Sequence, residues 1–540
     1  MNASPSQVAI VRNSIKSFCC VITLVAAFIS ARAAETTFTN PVLAGDYPDP
    51  SVIRVGKDYW ATATSSEWGP HFPLLHSRDM VNWEIVGPVF AKRPEWAVAN
   101  FWAPEIAEWK GRYYIYYTAR KKGGPLSIAC ATADKPQGPY TDHGPMVSQD
   151  AGSIDALPIT NEKGERWLVW KEDGNSRRQP TPLWAQQLDE TGTKLVGTRH
   201  ELFRNDQPWE GALVEGPFIL KRGDYFYMFY SGNGCCGRNC TYAMGVARAK
   251  ALLGPWEKYA KNPILAENAA WKCPGHGSIV TDERGRHWLL YHAYDPKSFV
   301  FTGREMLLDE VTFGADGWPQ INGGKGPTAV ASSPSSAKQQ HKELTFEDSF
   351  GGKKLRAGWQ WPQDNEPSAT LSRGRLILAP AAARAKNPIG AIVGRSITAG
   401  DYTATTRVRL SDLKPGALAG LAAIGDPANA LGIAVSRENV IVWQQARNKF
   451  TTNAVERGVA GKTVELRVTA KDGNRFQFSV SADGKNWKTV GQNAEGGYLP
   501  PWDRSIRIGL TAGGVEGAEA QFDYLRITPE GTRAEALRKP

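Results

Sequence analysis

Four acids and one histidine recur at matched places along this chain. Asp49 lies seven residues before Gly56, Glu105 six before Gly111, Asp155 nine before Gly164, Glu215 eight before Gly223 and His276 nine before Gly285. Each belongs to a turn-like or small-residue stretch, such as Pro48-Asp-Pro50, Ala103-Pro-Glu105 or Val214-Glu-Gly-Pro217. Taken singly, Asp49 reads as a turn former, because each proline fixes its own backbone and biases its predecessor toward an extended shape. Taken together, carboxylates brought to one axis repel one another unless a site uses them. A glycosidase is one such site. It needs a carboxylic acid to protonate the leaving oxygen and a carboxylate to activate water or attack the sugar. A calcium site would need more clustered acids and carbonyls than one per repeat.

The elements that must position these residues are visible in the same repeat. Five segments carry a turn glycine followed by an aromatic-rich strand: Gly56 to Trp60, Gly111 to Tyr117, Gly164 to Trp170, Gly223 to Tyr230 and Gly285 to Tyr291. The glycines are 55, 53, 59 and 62 residues apart. Each turn joins two strands into a hairpin, and some copies show a third strand, as in Leu126–Thr132 and Tyr242–Arg248. Four short antiparallel strands at this period describe a β-propeller blade, and five of them fill residues 34–325. The strand before each glycine is then the inner one, with its first residues facing the central channel.

Composition agrees with an all-β chain. It holds 19 Trp, 17 Tyr and 19 Phe beside 54 Gly and 35 Pro. Arg12 and Lys16 precede an apolar run from Phe18 to Ile29, and Ala31-Arg-Ala33 is a small-x-small cleavage site. Residues 1–33 therefore read as a signal peptide, and the protein as exported to the periplasm or the extracellular space. Removing them leaves a formal charge of +7 in place of +10. The remaining basic residues are scattered and no nucleic-acid motif is present, so nucleic acid is not an expected partner. No stretch is long enough for a membrane span. Five cysteines remain: Cys130, Cys235, Cys236, Cys240 and Cys273. The cluster at 235–240 lacks a second Cys/His pair, which favours a local disulfide over zinc and leaves at least one thiol free.

Seven stretches together resemble glycoside hydrolase family 43. They are Asn40 to Ser51, His76 to Trp83, Phe101-Trp-Ala-Pro-Glu105, Gly152-Ser-Ile-Asp155, Val214-Glu-Gly-Pro217, Gly275-His-Gly-Ser278 and Gly303-Arg-Glu305. The resemblance implies a five-bladed propeller and an inverting mechanism. It casts Asp49 as general base, Glu215 as general acid and Asp155 as the carboxylate that orients Glu215 and raises its pKa. It also implies sugar contacts from Arg304 and His276, with Phe72 and Trp102 as apolar walls. His276 in this family often lies near a calcium ion or a water cluster. A structural Ca2+ in the channel, met by His276 through water, is thus a candidate; no cofactor is required for the chemistry.

Residues 326–341, rich in Ser and Gln, read as a linker. From 342 to 540, period-two segments such as Tyr402–Leu410, Val464–Val468 and Arg475–Val480 describe an antiparallel β-sandwich, with helical spacing only near Arg533–Arg538. Phe346-Glu-Asp-Ser-Phe350 and Phe522 to Ile527 resemble the jelly-roll, concanavalin-like domain that follows many family 43 enzymes. The expected activity is release of terminal pentoses, α-L-arabinofuranosyl first, from arabinose- or xylose-containing polysaccharides and oligosaccharides. β-D-xylosidase and endo-arabinanase action stay open. Outside enzymes, the alternative is a carbohydrate-binding propeller, which predicts loss of at least one of Asp49, Asp155 and Glu215. The oligomeric state is not read from the sequence.

Overall fold

All five turn glycines have φ between 57° and 83°. A Cβ added at any of them would meet no neighbour. The left-handed backbone of the hairpin turn, not a lack of room, is what calls for glycine there. The computed structural model describes residues 36–340, 345–458 and 461–531. The expected signal peptide and the segment near Arg533–Arg538 lie outside them.

The hairpins build five four-stranded antiparallel sheets. Their inner strands are Ser51–Val55, Ala97–Trp109, Ser153–Thr160, Val214–Arg222 and Lys272–Thr281. Each inner strand packs beside those of its two neighbours, and the fifth returns to the first. The result is a closed ring of five blades.

The aromatic wealth fills the seams of this ring. One apolar cluster lies between each pair of adjacent blades. The second strand of a blade feeds two seams by simple alternation. Ile115 and Tyr117 face one neighbour, while Tyr114 and Tyr116 face the other. Both faces of such a strand are buried, so it reads as an unbroken apolar run and not as an alternating one.

The two ends of the propeller are tied together. Thr37–Thr39 pairs with Val330–Ser332, and the Asn40 amide donates to the carbonyls of Leu308 and Thr328. Part of the stretch expected to be a free linker is therefore a strand that closes the ring. Its three residues are too short to show a period, and their partner lies almost 300 positions away.

The C-terminal domain is a sandwich of a nine-stranded and a six-stranded sheet. Alternate residues of Tyr402–Arg409 are buried, as period two requires. The domain is bound into the propeller. Trp361–Pro362 pairs with Trp68–Gly69, and Trp68 packs with Ile392, Ala422 and Trp443 of the sandwich. Tyr294, Val300 and Phe301 of the fifth blade share one apolar cluster with Tyr402 and Phe476. Cys235–Cys236 and Cys240–Cys273 are disulfides, and Cys130 is a buried thiol.

Candidate active site

Each inner strand, or the turn just before it, has a residue in the left-handed region next to the site: Asp49 (φ 53°), Ala103 (41°), Asp155 (59°), Gly216 (58°) and His276 (40°). Register shifts accompany the last four. A bulge of this kind re-aims a side chain out of the strand's alternation, and strain held by a folded surround marks functional sites. Here it turns Asp49, Asp155, Glu215 and His276 onto one axis.

Asp49 is almost wholly buried and ionised. Its Oδ2 accepts from Thr64 Oγ1 at 2.6 Å, and its Oδ1 from Arg304 Nη1 at 3.1 Å. Burial alone would raise its pKa, but the Arg304 guanidinium and His276 outweigh that and hold it far below the usual carboxylate range. His292 Nδ1 accepts the Asp49 N–H at 3.1 Å, so it is not free to donate to the carboxylate beside it. Burial lowers the His292 pKa to about 4, which keeps the ring neutral.

Asp155 Oδ2 accepts the Gly216 N–H at 2.9 Å, which couples it to the strand head that carries Glu215. Its pKa is pushed up to about 6, first by burial and then by the Glu215 charge, against the pull of His276. Glu215 is the opposite case, and the expectation that its pKa is raised is not met. Burial would raise it, yet Lys171 Nζ at 2.6 Å from Oε2 and the Tyr242 hydroxyl at 2.9 Å from Oε1 hold it below its ordinary value. His276 Nδ1 bridges the two sides, 3.5 Å from Asp49 Oδ1 and 3.9 Å from Asp155 Oδ2.

The sandwich supplies part of the wall. Arg304 Nη2 donates to the Asp503 carbonyl at 2.9 Å, and Ser66 Oγ to Asp503 Oδ2 at 3.0 Å. Asp46, three residues before Asp49, accepts from the Ser505 N–H and from Arg507 Nη1. Trp502 sets its ring edge-to-face against Trp102 at 5.8 Å and is 60% exposed. Among the described residues, Trp102 Nε1 and Arg304 Nε are buried donors without a hydrogen-bond partner.

Of the residues singled out in the sequence, Asp49, Asp155, Glu215, His276 and Arg304 are brought together here, with Trp102 beside the contributed wall. Phe72 is not at the site. It is fully buried in the seam between the first two blades, against Phe90, Phe101 and Tyr117, so no sugar can stack on it. Among the described residues, no group of three or more His, Cys, Asp or Glu side chains is placed to hold a metal ion. His276 places its Nδ1 between the Asp49 and Asp155 carboxylates.

Sequence reasoning missed a second ring. Seven or eight residues after each turn glycine stand Thr64, Thr118, Lys171, Ser231 and His292. Four of them accept the backbone N–H of the strained head in the next blade: Thr64 from Ala103 (2.7 Å), Thr118 from Asp155 (3.3 Å), Ser231 from His276 (2.9 Å) and His292 from Asp49 (3.1 Å). Lys171 alone departs, donating to a side chain, Glu215. A polar residue at a fixed offset inside five aromatic strands was the available signal.

Comparison with known proteins agrees with this geometry. Residues 38–319 match the model of glycosyl hydrolases family 43, and residues 347–528 that of the beta xylosidase C-terminal concanavalin A-like domain. The chain is 27% identical to xylosidase/arabinosidase 43B of Humicola insolens, covering 91% of this chain and 97% of that protein. It is 26% identical to a non-reducing end alpha-L-arabinofuranosidase of Bacteroides ovatus, over 91% and 94% of the two chains. The solved structure of a family 43 protein from Bacillus licheniformis superimposes with a TM-score of 0.78 at 26% identity, covering 92% of this chain and all of that one. The propeller, its three convergent carboxyls and the trailing sandwich thus have one joint explanation: the chain belongs to glycosyl hydrolases family 43 and is a glycoside hydrolase.

Proposed function

We propose that this hydrolase removes single terminal pentoses, α-L-arabinofuranosyl residues first and β-D-xylosyl residues second, from arabinan- and xylan-type chains. The observation that carries the reading is the wall formed by Trp502 and Asp503 beside the three carboxyls. A wall against the channel favours a pocket that takes a chain end over the open cleft an endo-acting enzyme needs. The second sugar is favoured by relatives named for both activities, the Humicola insolens protein among them.

In this reading Asp49, kept ionised by Arg304, takes a proton from water as the water oxygen bonds to the anomeric carbon. Glu215 gives its proton to the departing oxygen, and the product leaves with inverted configuration. Asp155, neutral in part near pH 6, holds the strand head of Glu215 through Gly216 N–H. The signal-peptide reading of residues 1–33 and the two disulfides both support an oxidising destination. Aryl α-L-arabinofuranoside and aryl β-D-xyloside, assayed beside Asp49→Ala and Glu215→Ala, test it. Wild-type turnover with loss in both variants is expected. No turnover of either glycoside by the wild type, or full activity in Asp49→Ala, overturns it.

A further inference from the structure

Lys171 is an odd residue for its place. It sits at the inner end of the strand Arg166–Glu172, opposite Ile154, and its side chain is 1% exposed. Its four counterparts in the second ring are hydrogen-bond acceptors for backbone. Lys171 is a cation, and it aims at the carboxyl assigned the acid's role. The same Nζ lies 3.0 Å from Asp173 Oδ1. A buried ammonium needs such partners, because taking one away leaves an uncompensated buried charge. An acid locked to an ammonium, however, cannot give up a proton it does not hold.

We propose that Lys171 is a positioning residue for Glu215: it clamps the carboxylate while the pocket is empty and, when Glu215 takes up a proton, lets it go and rests on Asp173, to which it is already bonded. The inference rests on reading Glu215 as the acid. Lys171 stays protonated throughout. Glu215 gains its proton from solvent, passes it to the departing oxygen and returns to the carboxylate that Lys171 holds. The proton left on Asp49 after water attack returns to solvent, so the cycle balances.

The groups facing Glu215 come from three blades. Lys171, Asp173 and Asp155 belong to the third blade, Tyr242 to the fourth and His276 to the fifth. Lys171 is the nearest cation among them, and Asp173 is the acceptor that competes for it. This assigns opposite effects to two neighbours. Lys171→Met removes the cation and should raise the alkaline limb of kcat/KM by about 1–3 pH units, the span an adjacent opposite charge commands. Asp173→Asn removes the competitor and should lower that limb. Lys171→Arg keeps the charge and should restore the wild-type limb.

The test measures pH profiles of the three variants on xylobiose, whose sugar leaving group needs protonation, and on a 2,4-dinitrophenyl pentoside, which needs little. In Lys171→Met, kcat on xylobiose should fall at least 10-fold and kcat on the dinitrophenyl substrate less than 3-fold, since general acid help amounts to about 10²–10⁴. A second readout needs no turnover: the infrared carbonyl band of protonated Glu215, identified by its absence in Glu215→Gln. Its midpoint should rise in Lys171→Met and fall in Asp173→Asn. Midpoints and limbs that coincide with wild type, or equal loss on both substrates, overturn the proposal. A wild type inert on every pentoside overturns the functional reading instead, while the band still tests the clamp. Should Lys171→Met not fold, Asp173→Asn carries the same test with the opposite sign.

Discussion

The two sides of the channel hold their carboxyls by different means. Asp49 is gripped across a domain boundary: Arg304 reaches both its carboxylate and the sandwich carbonyl of Asp503, and Asp46 just upstream is anchored by Ser505 and Arg507. Glu215 is gripped within the propeller, by Lys171, Tyr242 and the strand head that Asp155 holds. The side that must be charged before water attacks is braced by two domains and by a guanidinium, which keeps its charge at any working pH. The side that must change charge is held by a lysine with an alternative acceptor. Both carboxyls are held below their ordinary values while the pocket is empty, so an acid–base pair requires that the hold on one of them be given up.

Substitutions can break or sharpen this contrast. The largest effect is expected at the carboxyls themselves. Asp49→Asn should cost about 10⁴-fold in kcat whatever the leaving group, whereas the loss in Glu215→Gln should shrink as the leaving group improves. A plot of log kcat against leaving-group pKa separates the two, and parallel lines would erase the distinction. Next comes Arg304→Met, which strips Asp49 of its principal cation. The Asp49 pKa should rise, and because the base must be ionised, the acid limb of the pH profile should move upward, with about 10²-fold loss of kcat at mildly acid pH.

Arg507→Met asks whether the brace is truly shared. Removing one partner of a buried ion pair costs about 3–5 kcal/mol of stability, read as a lower melting temperature. Activity should fall equally for good and poor leaving groups, since the loss is on the Asp49 side. Trp502→Ala is milder: about a 10-fold rise in KM for oligosaccharides and little change in kcat, measured by steady-state kinetics on xylo- and arabino-oligosaccharides. The smallest effect belongs to Glu105, which lies on neither side. Burial pushes its pKa up to about 8, so the folded state binds its proton more tightly than the unfolded chain does. Its contribution is full below about pH 4 and declines as pH rises through 8. Glu105→Gln should leave stability at pH 5 nearly unchanged and gain about 2 kcal/mol at pH 9, seen in denaturant midpoints.

Much of this molecule could be read from the chain. The spacing of the turn glycines predicts five hairpins, and counting back from them places Asp49, Asp155, Glu215 and His276 on one axis. Each of those inferences uses neighbours a few residues apart, and local geometry fixes them. The second ring used an equally local offset but was hidden, because Thr64, Thr118 and Ser231 look unremarkable inside aromatic strands. Phe72 was misplaced for a different reason: an aromatic beside a channel and an aromatic between blades have the same sequence surroundings. The sandwich's contribution was beyond reach. Nothing near Asp46 announces a partner at Arg507, 461 positions later.

That long reach bears on how the enzyme comes into being. The ring of blades is shut only once Ser332 has been synthesised, and the wall beside Asp49 only once Arg507 has followed. A chain halted by a premature stop between the two could fold its propeller yet lack the groups that steady the water-activating residue. Such a product should be less active than the full chain. The late-made segment thus completes the wall around the water-activating residue, and separating the two domains should lower hydrolytic activity.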